Sequence, residues 1–235
     1  MHWLKTKPIA HRGLHRGFSV PENSMKAFQR AIKRDYAIEL DVRLTKDNKL
    51  VVFHDKNLIR MCASRKKVQN QTAKTLTNIQ LYHSSQKIPL FTDVLALIDG
   101  QVPVVVEIKN YGEVGRFEEE VVKALENYKG EFAVCSFNPN VVNWFRKNRP
   151  DFNRGLIYGD IKKFSIKFYK IIFLKYFFRC KPHFVSLDYK LLDTLIPVFC
   201  RRAKIPIVSW TINSKKKKLK ARSIVDNIIF ENIKP

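Results

Sequence analysis

The feature that most constrains the fold is the alternation of two kinds of apolar segment along the chain. Short runs rich in β-branched and aromatic residues are separated by stretches whose apolar residues recur every three or four positions, as on one face of a helix. The strand-like runs are PIAHRG, AIELDV, PVVVEIK, EFAVCSF, RGLIYG, HFVSLDY, PIVSWTIN and DNIIFEN. Alternating strands and helices form parallel sheets, and eight such units predict an α/β fold closed as a (β/α)8 TIM barrel.

One apolar run falls outside this alternation. KLVVFHD follows the turn-rich TKDN, so we predict a hairpin arm beside the second strand rather than a ninth barrel strand. Residues 56–102 should form an irregular excursion with one helix near Phe91–Ile98, which places an insertion at about 47–102. The eighth strand lies near residue 235, so we expect a truncated C-terminal end without the last outer helix. No linker or repeat divides the sequence, which predicts a single domain over residues 1–235.

The predicted helices have recognisable buried faces. Phe28, Ala31 and Ile32 share a face, and either Asn23 or Ser24 could cap the helix that carries them. The other predicted faces consist of Phe117, Val121 and Leu125, of Val141, Val142 and Phe145, and of Leu192, Leu195 and Phe199.

The charge of the chain and its cysteine content limit the partners and the kinds of site that we expect. Lys and Arg number 44 against 21 Asp and Glu, and the net charge of +23 attracts nucleic acid, anionic lipid or phosphorylated metabolites. No nucleic-acid-binding motif accompanies the charge, so we expect no nucleic acid partner. The four cysteines are widely spaced, which argues against a zinc site or a redox dithiol. The sequence has neither a signal-peptide pattern nor a membrane-spanning apolar run, so we predict a cytoplasmic location.

Three acids stand where a strand would otherwise bury apolar side chains. Glu39 and Asp41 are two residues apart in one strand and therefore point to the same side. Glu107 has an equivalent place in the following barrel strand. Neighbouring buried carboxylates repel one another unless a cation lies between them. Because Mg²⁺ and Ca²⁺ prefer oxygen ligands, the three acids predict a site for a divalent cation.

Histidines and cations accompany these acids at the strand ends. His11 closes the first strand and His54 closes the hairpin arm, and two imidazoles can serve as acid and base in displacement at phosphorus. Arg12 offers a planar fork to phosphate oxygens, and Lys109 adds a point charge. The remaining histidines are interpreted as packed or surface residues: His2, His15, His83 and His183.

Six short motifs occur in a characteristic order. They are HRG at 11–13, PEN at 21–23, ELD at 39–41, TKD at 45–47, VVFHD at 51–55 and VEIK at 106–109. Together they closely resemble the glycerophosphodiester phosphodiesterase family, whose members are divalent-metal enzymes on a (β/α)8 barrel. SWTIN at 209–213 resembles the seventh-strand motif of that family. The resemblance is dense over residues 8–109, sparse to about 204, and returns at 205–213.

The resemblance implies hydrolysis of glycerophosphodiesters to an alcohol and sn-glycerol 3-phosphate, in phospholipid and glycerol metabolism. It also implies that Glu22 orients the groups around the metal and that Trp210 walls the glycerol side of the site. The nucleophile, water or a glycerol hydroxyl, stays open, as does the division of labour between the histidines. The other implied roles are acid/base catalysis by His11 and His54, metal binding by Glu39, Asp41 and Glu107, and phosphate binding by Arg12 and Lys109.

A basic, aromatic-rich segment at 160–181 has no part in these motifs. Lys163, Lys167, Lys170 and Lys181 cluster on one side of a predicted helix, with aromatic residues on the other sides. Such a segment is typical of peripheral contact with an anionic membrane. The alternative is an outer barrel helix that packs its aromatic residues inward.

The sequence therefore leaves three functions open. The first is a phosphodiesterase acting on small glycerophosphodiesters, and the second is a lysophospholipase D-like enzyme acting on lipid diesters at the membrane surface. The third is a non-catalytic barrel that binds polyanions or membranes. The intact set of acids and histidines favours an enzyme over the third.

Overall fold

The structure, a computed structural model, describes residues 1–82, 84–159 and 168–235. These residues form two compact units, one of Met1–Ile9 with Ala133–Pro235 and the other of Ala10–Phe132. A single domain over residues 1–235 stays a prediction.

The described elements follow the predicted alternation of strands and helices. The strands are β1 (Ile9–Ala10), β2 (Ala37–Leu44), β3 (Leu50–Val52), β4 (Val104–Ile108), β5 (Phe132–Ser136), β6 (Arg154–Tyr158), β7 (Phe184–Asp188), β8 (Ile207–Ile212) and β9 (Asn227–Phe230). The helices are α1 (Trp3–Thr6), α2 (Met25–Ile32), α3 (Ile59–Cys62), α4 (Ala73–Leu76), α5 (Phe91–Ile98), α6 (Arg116–Leu125), α7 (Pro139–Asn148), α8 (Tyr169–Cys180), α9 (Leu195–Arg202) and α10 (Lys215–Arg222). Each of the strand-like runs of the sequence coincides with one of these strands, and β2 extends two residues beyond its run.

The unit Ala10–Phe132 is organised around β2. On one side β2 pairs with β4 in parallel, with Asp41 directly opposite Glu107. On the other side it pairs with β3 in antiparallel fashion, with Val42 opposite Val52. The antiparallel pairing confirms the predicted hairpin arm. The parallel register places two of the predicted metal ligands side by side.

The insertion after β3 is more ordered than the sequence predicted. Helix α5 has the predicted bounds, but the short helices α3 and α4 and a 3-10 turn at Val68–Asn70 were not foreseen. The reason is a separate apolar cluster, here called the insertion core, which supports these short elements and the hairpin arm. Its buried members are Val51, Phe53, Leu58, Met61, Val68, Leu76, Leu81 and Ile88.

The other unit is a succession of parallel strands with helices between them. Strand β5 pairs with β6, β6 with β7, β7 with β8 and β8 with β9, each in parallel. Chain order therefore equals spatial order, as expected when each helix returns the chain to a neighbouring strand. Residues 231–235 follow β9 without forming a helix.

Helix starts and buried faces mostly follow the sequence. Ser24 caps α2, since its side chain accepts a hydrogen bond from the amide of Ala27. The predicted faces of α6 and α7 are buried. The predicted face of α9 is wrong, because Leu195 is 59% exposed while Ile196 is buried. Thr194 caps α9, so the helix begins only at Leu195. Its buried face therefore starts with Ile196, one residue after the predicted Leu195.

The basic, aromatic-rich segment is only partly described. Residues 160–167, including Lys163 and Lys167, lie outside the described residues. Helix α8 buries Phe173 and Phe177, as an outer barrel helix should, yet Phe178 is 63% exposed. In the described part of the chain, no helix combines the length and apolarity needed to cross a bilayer.

Candidate functional site

Strands β2 and β4 bring the three predicted metal ligands together. Glu39, Asp41 and Glu107 are all buried, and one carboxylate oxygen of each lies within 4.8 Å of the others. We call these three residues the acid cluster. The alternation of side chains along β2 and the pairing of Asp41 with Glu107 explain why the cluster forms.

The three carboxylates of the acid cluster differ in the direction of their pKa shifts. Burial, with repulsion from Asp41 and Glu107, raises the pKa of Glu39 well above its usual value. Burial also raises the pKa of Glu107 to about 7, although the Lys109 ammonium acts in the opposite direction. Burial opposes ionisation of Asp41 too, but the positive charges of Lys109 and Arg12 outweigh it and hold that pKa well below its usual value. Burial and mutual repulsion therefore oppose full ionisation of Glu39 and Glu107, and added positive charge would favour it.

The donor set of the acid cluster fits a hard divalent cation. Its ligands are all carboxylate oxygens, which Mg²⁺ and Ca²⁺ prefer. Lys109 Nζ lies 3.1 Å from Asp41 Oδ1 and 2.5 Å from Glu107 Oε1. Both oxygens are buried, and contact with the ammonium occupies only one of the two lone pairs of a carboxylate oxygen. These oxygens therefore retain lone pairs for a metal.

Arg12 lies against the acid cluster because of the turn that follows β1. Its backbone amide donates to Glu39 Oε2 at 2.9 Å, and its Nε lies 3.4 Å from Asp41 Oδ2. Gly13 has a φ of 78°, and a Cβ at this residue would lie 2.9 Å from the Phe28 ring. Only glycine fits this turn, which explains the residue that follows Arg12 in the HRG motif.

His11 and Trp210 are placed less directly. His11 is partly buried between β1 and Arg12. Its pairing with His54 as acid and base stays a prediction. Trp210 belongs to the other compact unit, where its Nε1 donates to the Ser186 carbonyl at 3.2 Å and its ring meets Phe137 edge-on. Its role beside glycerol also stays a prediction.

The hairpin arm presents His54 in a defined orientation. His54 Nδ1 lies 2.6 Å from Asp55 Oδ1, and the Arg43 guanidinium binds the His54 carbonyl through Nε at 2.9 Å. Burial lowers the pKa of His54, an effect that the negative charge of Asp41 only partly offsets. Burial therefore favours the neutral imidazole, which is the form that can accept a proton.

Asp55 is in turn held by a chain of ion pairs that the sequence did not reveal. Arg60 Nε donates to Asp55 Oδ2 at 2.7 Å, and Arg60 Nη2 donates to Glu22 Oε1 at 2.7 Å. Glu22 Oε1 also accepts from Arg12 Nη1 at 2.7 Å. We call Arg12, Glu22, Arg60 and Asp55 the arginine–carboxylate network, and it connects the acid cluster to His54.

Glu22 therefore lies between two guanidinium groups. Burial opposes its ionisation, but the hydrogen bonds and charges of Arg60 and Arg12 outweigh burial and lower its pKa to about 2. Glu22 contacts two arginines rather than the acids themselves, and its orienting role around a metal stays a prediction.

Sequence reasoning missed four residues that support the site. Asn23 Nδ2 donates to Asp41 Oδ2 at 2.8 Å, and both residues are buried. The other three are Asp55, Arg60 and Arg43, which fix His54 as described above. Asn23 and Asp55 belong to the motifs PEN and VVFHD, and their place in these motifs was the signal that could have identified them as site residues. Among the remaining histidines, His83 lies outside the described residues.

Comparison with known proteins adds an independent finding. Residues 11–234 match the model of the Glycerophosphoryl diester phosphodiesterase family. A glycerophosphodiester phosphodiesterase of Caldanaerobacter subterraneus subsp. tengcongensis is 29% identical over 229 residues, which cover 91% of this chain and 88% of the relative. One of Bacillus altitudinis is 32% identical over 168 residues, covering 66% of this chain and 68% of the relative.

A solved structure extends the comparison to the fold. An Oleispira antarctica phosphodiesterase in complex with the product sn-glycerol-3-phosphate has a TM-score of 0.84 with this chain at 18% identity. The match covers 98% of this chain and 94% of the other. This likeness confirms the predicted fold class, a (β/α)8 TIM barrel.

Proposed function

Because the chain belongs to the glycerophosphoryl diester phosphodiesterase family, a family of enzymes, we propose that it hydrolyses glycerophosphodiesters to an alcohol and sn-glycerol 3-phosphate. The observation that carries this proposal is the acid cluster, in which one carboxylate oxygen of each residue lies within 4.8 Å of the others, with Arg12 and Lys109 beside Asp41. The Oleispira antarctica relative contains sn-glycerol-3-phosphate as its product, which supports the same product here.

Glu39, Asp41 and Glu107 would hold the divalent cation, Mg²⁺ or Ca²⁺. When bound, it supplies positive charge that polarises the phosphate and stabilises the charge developing on its oxygens. The same charge would relieve the repulsion that raises the pKa values of Glu39 and Glu107.

The cations beside the acid cluster bind the substrate phosphate in this proposal. Arg12 presents its guanidinium at one side of the cluster, and Lys109 presents its ammonium at another. Both have their positions fixed by the carboxylates, so little side-chain entropy is lost when phosphate binds.

His11 and His54 move the protons. One imidazole accepts a proton from the nucleophile, which attacks phosphorus, and the other donates a proton to the oxygen that leaves as the P–O bond breaks. Asp55 holds Nδ1 of His54, so Nε2 is the nitrogen available for the transfer. The arginine–carboxylate network keeps Asp55 in place.

The test is hydrolysis of glycerophosphocholine, glycerophosphoethanolamine and lysophosphatidylcholine with Mg²⁺, Ca²⁺ or Mn²⁺. We expect hydrolysis of the first two, and its loss when a chelator is added or when Asp41 is replaced by Asn. If every diester survives with each metal, the proposal is wrong.

A lysophospholipase D-like activity at the membrane is the second candidate, and one surface supports it. We define the apolar face as the five most exposed apolar residues of α8, α9 and the position preceding α8: Phe168, Ile171, Phe178, Leu195 and Val198. A groove of about 370 Å³ between these helices is lined largely by apolar side chains, with Lys170 and Arg202 among its lining residues. We infer a peripheral contact of this region, which includes part of 160–181, with anionic lipid.

Liposome co-sedimentation tests this contact. Replacing Phe168, Ile171 and Phe178 together by Ser should reduce pelleting with anionic vesicles, whereas Leu219→Ser should not, although Leu219 is 70% exposed on α10. Equal pelleting of the two variants would exclude the apolar face. Preferred hydrolysis of lysophosphatidylcholine in the same panel would favour the second candidate. A cytoplasmic location stays a prediction of the sequence.

A further inference from the structure

A basic pocket of about 510 Å³ opens within the unit Ala10–Phe132, at the ends of β2 and β4. Its lining contains five cationic side chains and a single acid, Glu113. A volume of this size is typical of sites for small molecules. The cations of the basic pocket are Arg43, Lys46, Lys56, Lys109 and Arg116.

The basic pocket shares a wall with the proposed phosphate site. Lys109 lines the pocket while its Nζ lies 3.1 Å from Asp41 Oδ1 of the acid cluster. Arg43 also lines the pocket and binds the carbonyl of His54. A diester whose phosphate is bound at Lys109 therefore has the pocket directly beside one of its two ester arms.

Most of the positive charge in the pocket is not neutralised. Within the described ranges, Lys46, Lys56 and Arg116 form no ion pair, and Lys56 Nζ lies 4.8 Å from the centre of the Tyr111 ring. Like charges around one cavity repel one another and raise the local concentration of anions. A cationic head group entering this cavity would add to the repulsion, whereas an anionic group would relieve it.

From these observations we propose that the basic pocket binds the leaving alcohol of the diester and selects alcohols that carry a phosphate or carboxylate of their own. This rests on the proposed function. Arg43 and Lys109 fix the pocket beside the reacting phosphate, while Lys46, Lys56 and Arg116 bind the second anion. Diesters of cationic alcohols, such as choline and ethanolamine, are the poorer substrates.

A matched pair of substrates tests the selection. Glycerophosphoinositol and glycerophosphoinositol 4-phosphate differ only in one phosphate on the leaving alcohol. We expect kcat/KM to be about tenfold higher for the phosphorylated diester at low salt, and the ratio to fall as salt screens the charges. Equal kcat/KM values for the two diesters would overturn the selection while hydrolysis itself stands.

Variants assign the effect to the pocket. The double variant Lys46→Gln, Arg116→Gln should lower the ratio to about twofold and leave kcat/KM for glycerophosphoinositol within about twofold of the wild type. The double variant Lys33→Gln, Arg34→Gln is the matched control, because it also removes two positive charges, from exposed residues outside the pocket lining. A ratio unchanged in the double variant would overturn the assignment.

A binding measurement separates this inference from the proposed function. If neither diester is hydrolysed, the proposed function is wrong, and calorimetry with inositol 4-phosphate and with inositol still tests the pocket. Binding of inositol 4-phosphate that the double variant loses would support an anion-binding pocket. Absence of binding to the wild type would overturn it.

Discussion

The acid cluster and the apolar face depart from the usual burial pattern in opposite directions. In the first, charged groups are buried, and each carboxylate has a cation or a backbone amide within hydrogen-bond or ion-pair distance. In the second, apolar side chains such as Phe178 are exposed. Buried charge is costly unless it is paired, so its presence indicates a chemical role. Exposed apolar surface costs little by itself and indicates at most a contact.

The difference also concerns how firmly each region is fixed. Asn23, Arg12 and Lys109 all hold Asp41, so its position is determined several times over. Phe178 and Leu195 are 63% and 59% exposed, so more than half of the surface of each residue contacts solvent rather than protein. The comparison therefore predicts large effects of substitution in the first region and small effects in the second.

The largest expected effect is on the rate. His54→Ala should lower kcat/KM by about 10²–10⁴-fold, because a positioned proton-transfer group is lost. His11→Ala should have a loss of the same order if the two histidines act as a pair. His2→Ala is the control, since His2 is an exposed histidine outside the motifs. Near-normal turnover of the His54 variant would remove that residue from the mechanism.

The next largest effect is expected for Glu22→Gln, on the free energy of unfolding and its dependence on pH. The pKa of Glu22 is lowered from 4.5 to about 2, so its ionised form stabilises the folded state by about 3 kcal/mol above the unfolded pKa. This contribution is lost as pH falls from 4.5 through 2. Urea unfolding should therefore show a difference between wild type and variant at pH 7 that shrinks on acidification. A difference independent of pH would contradict the ionic role of the network.

Addition of a divalent cation should stabilise the protein through the acid cluster. At a hundredfold excess over the dissociation constant, Mg²⁺ or Ca²⁺ should add about 2.7 kcal/mol to the free energy of unfolding. Thermal unfolding with increasing metal concentration measures this. Asp41→Asn should abolish the increase, and Asp151→Asn, which changes an exposed carboxylate, should retain it. An increase that survives Asp41→Asn would place the metal elsewhere.

The smallest effect is expected at the apolar face. Phe178→Ser should change the free energy of unfolding by no more than about 0.5 kcal/mol, as for surface positions in general. Phe173→Ala, five residues earlier in the same helix and only 1% exposed, should cost about 3–5 kcal/mol. Chemical denaturation compares the two. Similar losses would mean that the apolar face is part of the core, and the contrast between the regions would disappear.

The sequence predicted the features that depend on local pattern. Strand runs, the hairpin arm, α5 and the shared side of Glu39 and Asp41 all follow from spacing along the chain. The resemblance to the family added the order of the motifs. The buried face of α9 was predicted wrongly, because the cap at Thr194 fixes where this short helix begins and therefore which of its residues point inward.

The supporting contacts of the site could not be predicted in the same way. Arg60 reaches Glu22, a residue 38 positions away in the sequence. That contact depends on how the insertion core packs α3 against the hairpin arm, which no spacing rule encodes. Long-range ion pairs of this kind require the tertiary structure.

The insertion core has a consequence for thermal inactivation. Val51, Phe53 and Leu58 anchor the stretch of chain that carries His54, and they belong to an apolar cluster separate from the ladder between β2 and β4. Because separate apolar clusters can open independently, we expect partial opening of the insertion core to displace His54 before the pairing of β2 with β4 is lost. If His54 acts as proposed, we expect activity to be lost at a lower temperature than global unfolding and to return on cooling without refolding of the sheet.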